Sequence, residues 1–385
     1  MNHKRLVSQM VSLTVVVLLS AACATSQPTP TPVPPTPTPV PPAPTPAPPT
    51  ATAARIATAT VSPTAMARLS PSSRGYISMA YDAESERVIL FGGQTGNISD
   101  PAPCNGETWA YDVAANKWTE MKPASGPGSR GAAELTYDAE SDRVILYGGG
   151  NEVKWDLNDT WAYDYNTDTW TEMAKGPPNH LGARIAYDAE SDRIILFGGF
   201  DMSGFFYNDT WAYDFSSDTW KEMKPSTSPP GRNYQAMAYD AKSDRVNVWG
   251  ALYTSREPIE DSVWSYDFNT NTWQEMKPGG GPLPRSRDYP AMVYDAESDR
   301  MILYGGFPQG GDETWAYDHK ANAWTKLEPS TVPGKLSKHA MVYSAAADRV
   351  ILFGGQVGWT EFEYTGETWT YDLNANTWTN VTPHP

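Results

Sequence analysis

From Arg74 onward the apolar residues fall in short runs bounded by Gly, Asp and Asn, and none follows a helical period of useful length. One kind of run ends in Tyr-Asp, as in Ile77-Ser78-Met79-Ala80-Tyr81. A second is β-branched and aromatic, as in Arg143-Val144-Ile145-Leu146-Tyr147 before Gly148-Gly149. A third alternates, as in Thr160-Trp161-Ala162-Tyr163, and a fourth opens at a second tryptophan, as in Trp170-Thr171-Glu172-Met173. Each set predicts four short antiparallel strands.

The set recurs six times. The strand-one tyrosines are Tyr81, Tyr137, Tyr187, Tyr239, Tyr294 and Tyr343, and eleven residues after each stands a glycine: Gly92, Gly148, Gly198, Gly250, Gly305 and Gly354. Tryptophans nine residues apart close each unit: 109/118, 161/170, 211/220, 264/273, 315/324 and 369/378. A four-stranded unit of about fifty residues cannot bury both faces alone, but units stacked around an axis cover one another.

The Gly-Gly after a hydrophobic strand, the Tyr-Asp and the paired tryptophans resemble the kelch motif, over residues 74–380. The resemblance implies an all-β fold: a six-bladed β-propeller of four-stranded antiparallel blades, similar to the central domain of galactose oxidase. On that reading the glycines serve backbone geometry, the aromatic markers pack between blades, and the Asp residues cap turns. Closure rests on packing between blades one and six, with a strand swap by Met66-Ala67-Arg68-Leu69 as the alternative. Ala251 and Asn247 break the pattern in blade four and predict a local distortion. Glu134 and Arg184 each stand three residues before a strand-one tyrosine in adjacent blades, which predicts an ion pair between them.

The spacing also separates the two ends of the propeller. Tyrosine to glycine is always eleven and tryptophan to tryptophan always nine, whereas first glycine to tryptophan runs 17, 13, 13, 14, 10 and 15. In a four-stranded meander the variable connections emerge together, so one end carries uniform turns and the other carries loops that differ blade by blade. Function is expected at the loop end. Its loops hold aromatics outside the repeat pattern, among them Trp155, Phe206, Tyr253 and Trp359, suited to stacking or to anchoring a partner. Seven residues before each strand-one tyrosine stand Arg74, Arg130, His180, Arg232, Arg287 and Leu336, with Tyr76, Tyr234 and Tyr289 two places on. A ring of donors at the channel mouth could hold a carboxylate; the competing reading ties each arginine to loop carbonyls and nearby acids.

Residues 1–22 read as a signal peptide, with Lys4 and Arg5 before the apolar run Val11–Leu19. The stretch Leu19-Ser20-Ala21-Ala22-Cys23 resembles a bacterial lipobox and implies lipidation at Cys23, with simple cleavage after Ala22 as the alternative. Residues 23–72 read as a Pro/Thr-rich disordered stalk, and 73–385 as the propeller. The expected location is therefore the cell envelope or cell surface, with the N-terminal lipid as the only membrane contact. Loss of 1–22 takes the formal charge from −16 to −18, which argues against nucleic acid. Two cysteines give no disulfide framework.

The galactose oxidase resemblance implies copper held by two histidines and a tyrosine linked to cysteine, but no such set can be placed here. No cofactor and no metal are expected, and no catalytic residue is assigned. The reading is a monomeric extracellular binding module for a glycan or surface protein rather than an enzyme. The alternatives are a metal-independent small-sugar enzyme, similar to the kelch-type sialic acid mutarotases, or a scaffold without a specific small-ligand site.

Overall fold

The computed structural model describes residues 69–96, 103–178, 180–250, 262–358 and 363–383, all within the unit Ala65–Pro385. The signal, the lipobox with Cys23, most of the stalk, and Tyr253 and Trp359 lie outside the described residues. Among those described, the regular elements are all strands.

Six four-stranded antiparallel sheets follow one another along the chain. Blade one takes Ser78–Asp82, Arg87–Phe91, Thr108–Asp112 and Lys117–Glu120, and blade six takes Ala340–Ser344, Arg349–Phe353, Thr368–Asp372 and Thr377–Asn380. Blades two to five repeat the order with first strands Glu134–Asp138, Arg184–Asp188, Ala236–Asp240 and Ala291–Asp295. Each first strand lies beside those of the preceding and following blades, and blade one's lies beside blade six's. The ring is therefore closed, and each blade draws on one continuous repeat, so no exchanged strand is needed.

Burial explains why the apolar pattern reads as it does. The second strands, such as Val88-Ile89-Leu90-Phe91, are enclosed on both faces because they sit in the middle of a blade sandwiched by two others. The hydrophobic clusters accordingly span neighbouring blades, and one joins blade one to blade six. The fourth-strand tryptophan of each blade reaches back across this interface. Its Nε1 donates to the threonine opening the preceding blade's third strand: Trp170 to Thr108, Trp220 to Thr160, Trp273 to Thr210, Trp378 to Thr314, and Trp118 to Thr368, at 2.9–3.0 Å. The exception is Trp324, which faces Val263 and is left without an acceptor.

The second and third strands of blade four pair at three positions, Val246 to Val248, where the other blades pair at four or five, but the ladder runs on through Asn247. That residue keeps register with Ala238 and Ser265, and its side-chain oxygen meets the His319 ring at 3.2 Å. The expected distortion is thus confined to the end of the ladder, where Trp249 and Val263 do not pair; the half-buried His319 ring gives the Asn247 amide a partner, and Ala251 lies outside the described residues. Gly198 illustrates the backbone demand: at φ +79° a Cβ would stand 2.5 Å from the Arg232 carbonyl oxygen.

Candidate functional site

The donor position seven before each tyrosine is built as a clamp. Gly93, Gly199, Gly306 and Gly355 donate their N–H groups to the carbonyls of Arg130, Arg232, Leu336 and Arg74 in the next blade round the ring. The side chains then turn inward. Arg130 chelates Asp159 at 2.7 and 2.9 Å and donates to the Gly128 and Gly148 carbonyls. Arg74 holds Glu107, Ser72 and the Gly92 carbonyl; Arg287 holds Glu313 and the carbonyls of Arg285, Gly305 and Gly310. His180 meets Asp209 at 3.0 Å, and Arg232 donates to the Pro230 and Gly250 carbonyls. All five are buried. This corrects the expectation of a donor ring for ligands: Arg74, Arg130, His180, Arg232 and Arg287 serve the blades themselves. The same acids also accept from the strand-three tryptophans, as Asp159 does from Trp161 at 2.7 Å.

Two residues further on, the chain crosses the channel mouth. Tyr76, Ala132, Gly182, Tyr234, Tyr289 and Lys338 all have positive φ, between 48° and 68°. Their backbones link blade to blade: Ala132 N–H to Tyr76, Tyr234 to Gly182, Tyr289 to Tyr234, Lys338 to Tyr289 and Tyr76 to Lys338. The three phenol rings pack on one another, with centroids 4.3–6.3 Å apart. The Lys338 ammonium sits 4.5 Å from the Tyr76 ring centre and donates to Gln356 at 2.7 Å. The expected tyrosines do converge, but on each other, as an aromatic cover over the channel.

Beneath that cover lies a cavity of about 90 Å³ lined by Glu134, Arg184, Gln235, His339 and Ser78, among others. The predicted pair is present: Arg184 Nη1 donates to Glu134 Oε1 at 2.5 Å, and its Nε donates to the Gln235 carbonyl. Burial raises Glu134 to about 7 against the pull of Arg184. Burial, and then the Arg184 charge, lower His339 to about 3. Neither nitrogen of His339 has a partner of hydrogen-bond geometry, nor has Gln235 Oε1. The sequence reading missed Gln235 and Lys338 as channel residues; their fixed offsets before the strand-one tyrosine were the available signal.

The loops divide. Tyr207 stacks on His180 at 4.4 Å, Phe206 is half-buried against Phe200, and Tyr364 is buried with its hydroxyl on Gln94. These pack the loops down. On blades two and three other side chains are exposed: Val153 is 94% exposed, Met202 65%, Phe205, edge-on to Tyr207, 58% and Trp155 40%. Of the predicted stacking residues, Trp155 is exposed and Phe206 is largely spent on its own loop.

Comparison with known proteins agrees with this architecture. The profile of the KLHDC2/KLHL20/DRC7 Kelch-repeats domain matches residues 50–243 and 241–385. A stretch of 95 residues, 23% of the chain, is 30% identical to the dynein alpha chain of the flagellar outer arm from Chlamydomonas reinhardtii. The match spans 2% of that protein's length.

Proposed function

The chain belongs to the Kelch-repeats family, whose domains generally mediate protein interactions, and from that premise we propose that it binds a protein partner on the loops of blades two and three. The observation that carries this reading is the exposure of Phe205, Met202, Val153 and Trp155 on two neighbouring blades. Large apolar side chains held in water anchor interfaces when a partner's pocket desolvates them. An acidic saccharide is the weaker ligand, because the arginines it would need are engaged by Glu107, Asp159 and Glu313. We further propose that the propeller is exported and acts at the cell envelope, held by lipid at Cys23 or released after cleavage.

A photo-crosslinking residue at position 205, in cells, should trap a discrete protein adduct. The same group at Ala139, on a turn of blade two, should trap none. Equal labelling at both positions would overturn the proposal.

The small-sugar enzyme retains one supporting observation, Glu134 held near neutrality beside Arg184 and His339. Against it, the 90 Å³ cavity is far below the roughly 300 Å³ at which small-molecule sites begin.

A further inference from the structure

A second cavity, of about 360 Å³, opens where the connection from blade four to blade five meets blade five's own loop. Its size reaches the lower end of the range for small-ligand sites, roughly 300–1,000 Å³. Pro282, Leu283 and Trp315 supply apolar wall, and Arg285 and Lys326 supply charge. Both cations depart from the repeat. At the position of Arg285 the other blades carry Ser72, Gly128, Pro178, Pro230 and Gly334; the first four present their carbonyls to the clamp residue two places on, Ser72 adding its hydroxyl. At the position of Lys326 they carry Glu120, Glu172, Glu222, Glu275 and Asn380. Blade five therefore adds one positive charge and reverses the sign of another, and the fold brings the two to one cavity.

The local balance is positive. Among the described residues, Arg285, Arg287 and Lys326 line the cavity against one carboxylate, Glu313, in a chain of formal charge −16. Burial opposes ionisation of Glu313, but hydrogen bonds from Lys326, Trp315 and Arg287 hold it down to about 2, so it is an anion at neutral pH. It neutralises one charge of three. Arg285 donates to the neutral Gln309 Oε1 at 2.7 Å, a bond that an incoming anion can replace without breaking an ion pair. The Lys326 ammonium stands 5.9 Å from the Trp315 ring centre, at the boundary between charged and apolar wall.

We infer that this cavity binds a small organic anion, its carboxylate on Arg285 and Lys326 and its apolar body against Leu283 and Trp315. The site is separate from the blade two and three surface and does not depend on that surface binding a protein.

Benzoate and hexanoate are suitable probes, with benzamide and hexanamide as neutral counterparts, read by saturation-transfer NMR and calorimetry on the full chain. At least one acid should bind at least tenfold more tightly than its amide, and less tightly as salt is raised. Arg285→Gln and Lys326→Glu should each weaken that binding at least tenfold with the melting temperature unchanged, and Phe205→Ser should leave it intact. The inference is overturned if neither acid binds at millimolar concentration, if the amides bind as well, or if both cavity variants bind like the wild type.

Discussion

The two ends of the propeller are made by the same repeat and do different work. At the turn end every blade is alike: the arginine opening the second strand pairs with the aspartate closing the third, at 2.7–3.0 Å in all six blades. At the loop end the backbone clamp recurs but the loops do not. Phe205 and Trp155 stand exposed, while Arg285 and Lys326 belong to blade five alone. The difference teaches a rule for this chain: what recurs holds the ring together, and the departures from the repeat either pack the loops down, as Tyr207 and Tyr364 do, or stand exposed where we propose recognition. The clamp arginines are the instructive case. They lie at the loop end, yet they recur, and the structure ties them to their own blades.

The largest effect should come from breaking a clamp. Arg130→Met leaves Asp159 in a half-buried site without its chelating partner, and should destabilise the fold by about 3–5 kcal/mol. Arg143→Met at the turn end, where both partners are partly exposed, should cost no more than about 1 kcal/mol. Denaturant titration measures both, and equal losses would break the comparison.

The channel between the two ends should show its own pH dependence. The folded-state pKa of His339 lies below the free value of 6.5, at about 3, so its contribution is full above pH 6.5 and is lost as pH falls toward 3. Glu134 acts oppositely: raised from 4.5 to about 7, it contributes fully below pH 4.5 and loses that contribution as pH rises toward 7. Comparison of the wild type with His339→Gln cancels the Glu134 part. The stability advantage of the wild type should shrink as pH falls from 6.5 to 3, by at most about 1.4 kcal/mol per pH unit. A difference independent of pH would contradict this.

The interfaces between blades should give a smaller effect with a sign test. Thr160→Val deprives Trp220 Nε1 of its acceptor and should cost about 1–3 kcal/mol. Val263→Thr supplies the acceptor that Trp324 lacks and should gain about 0.5–1.5 kcal/mol. Should both substitutions destabilise alike, the Trp–Thr bond is not what distinguishes the seam between blades four and five.

Much of this was legible in the sequence. Fixed spacings gave the four-strand unit, its six copies and the separation of turn end from loop end, whereas the closure of blade one on blade six came from the packing of their first strands. The shared offset of Glu134 and Arg184 gave their ion pair. The candidate site was less legible, because spacing places a side chain along a strand without saying which way it turns. An acid stands two residues before the first tryptophan in five of six repeats, as Glu107, Asp159, Asp209, Glu313 and Glu367. That recurrence was the signal that the arginines had internal partners. The crossing of the channel by Tyr76, Tyr234 and Tyr289 depends on positive φ at non-glycine residues, which no local pattern announced.

The smallest effect on stability should accompany the largest effect on recognition, and it tests the central claim most directly. With a photo-crosslinker at position 155, adduct yield and melting temperature are measured with and without Phe205→Ser. Because Phe205 is exposed, the change should alter stability by no more than about 0.5 kcal/mol, leaving the melting temperature in place while the adduct falls at least tenfold. An undiminished adduct, or one lost only in step with the melting temperature, would contradict the division between recurring structure and departing recognition.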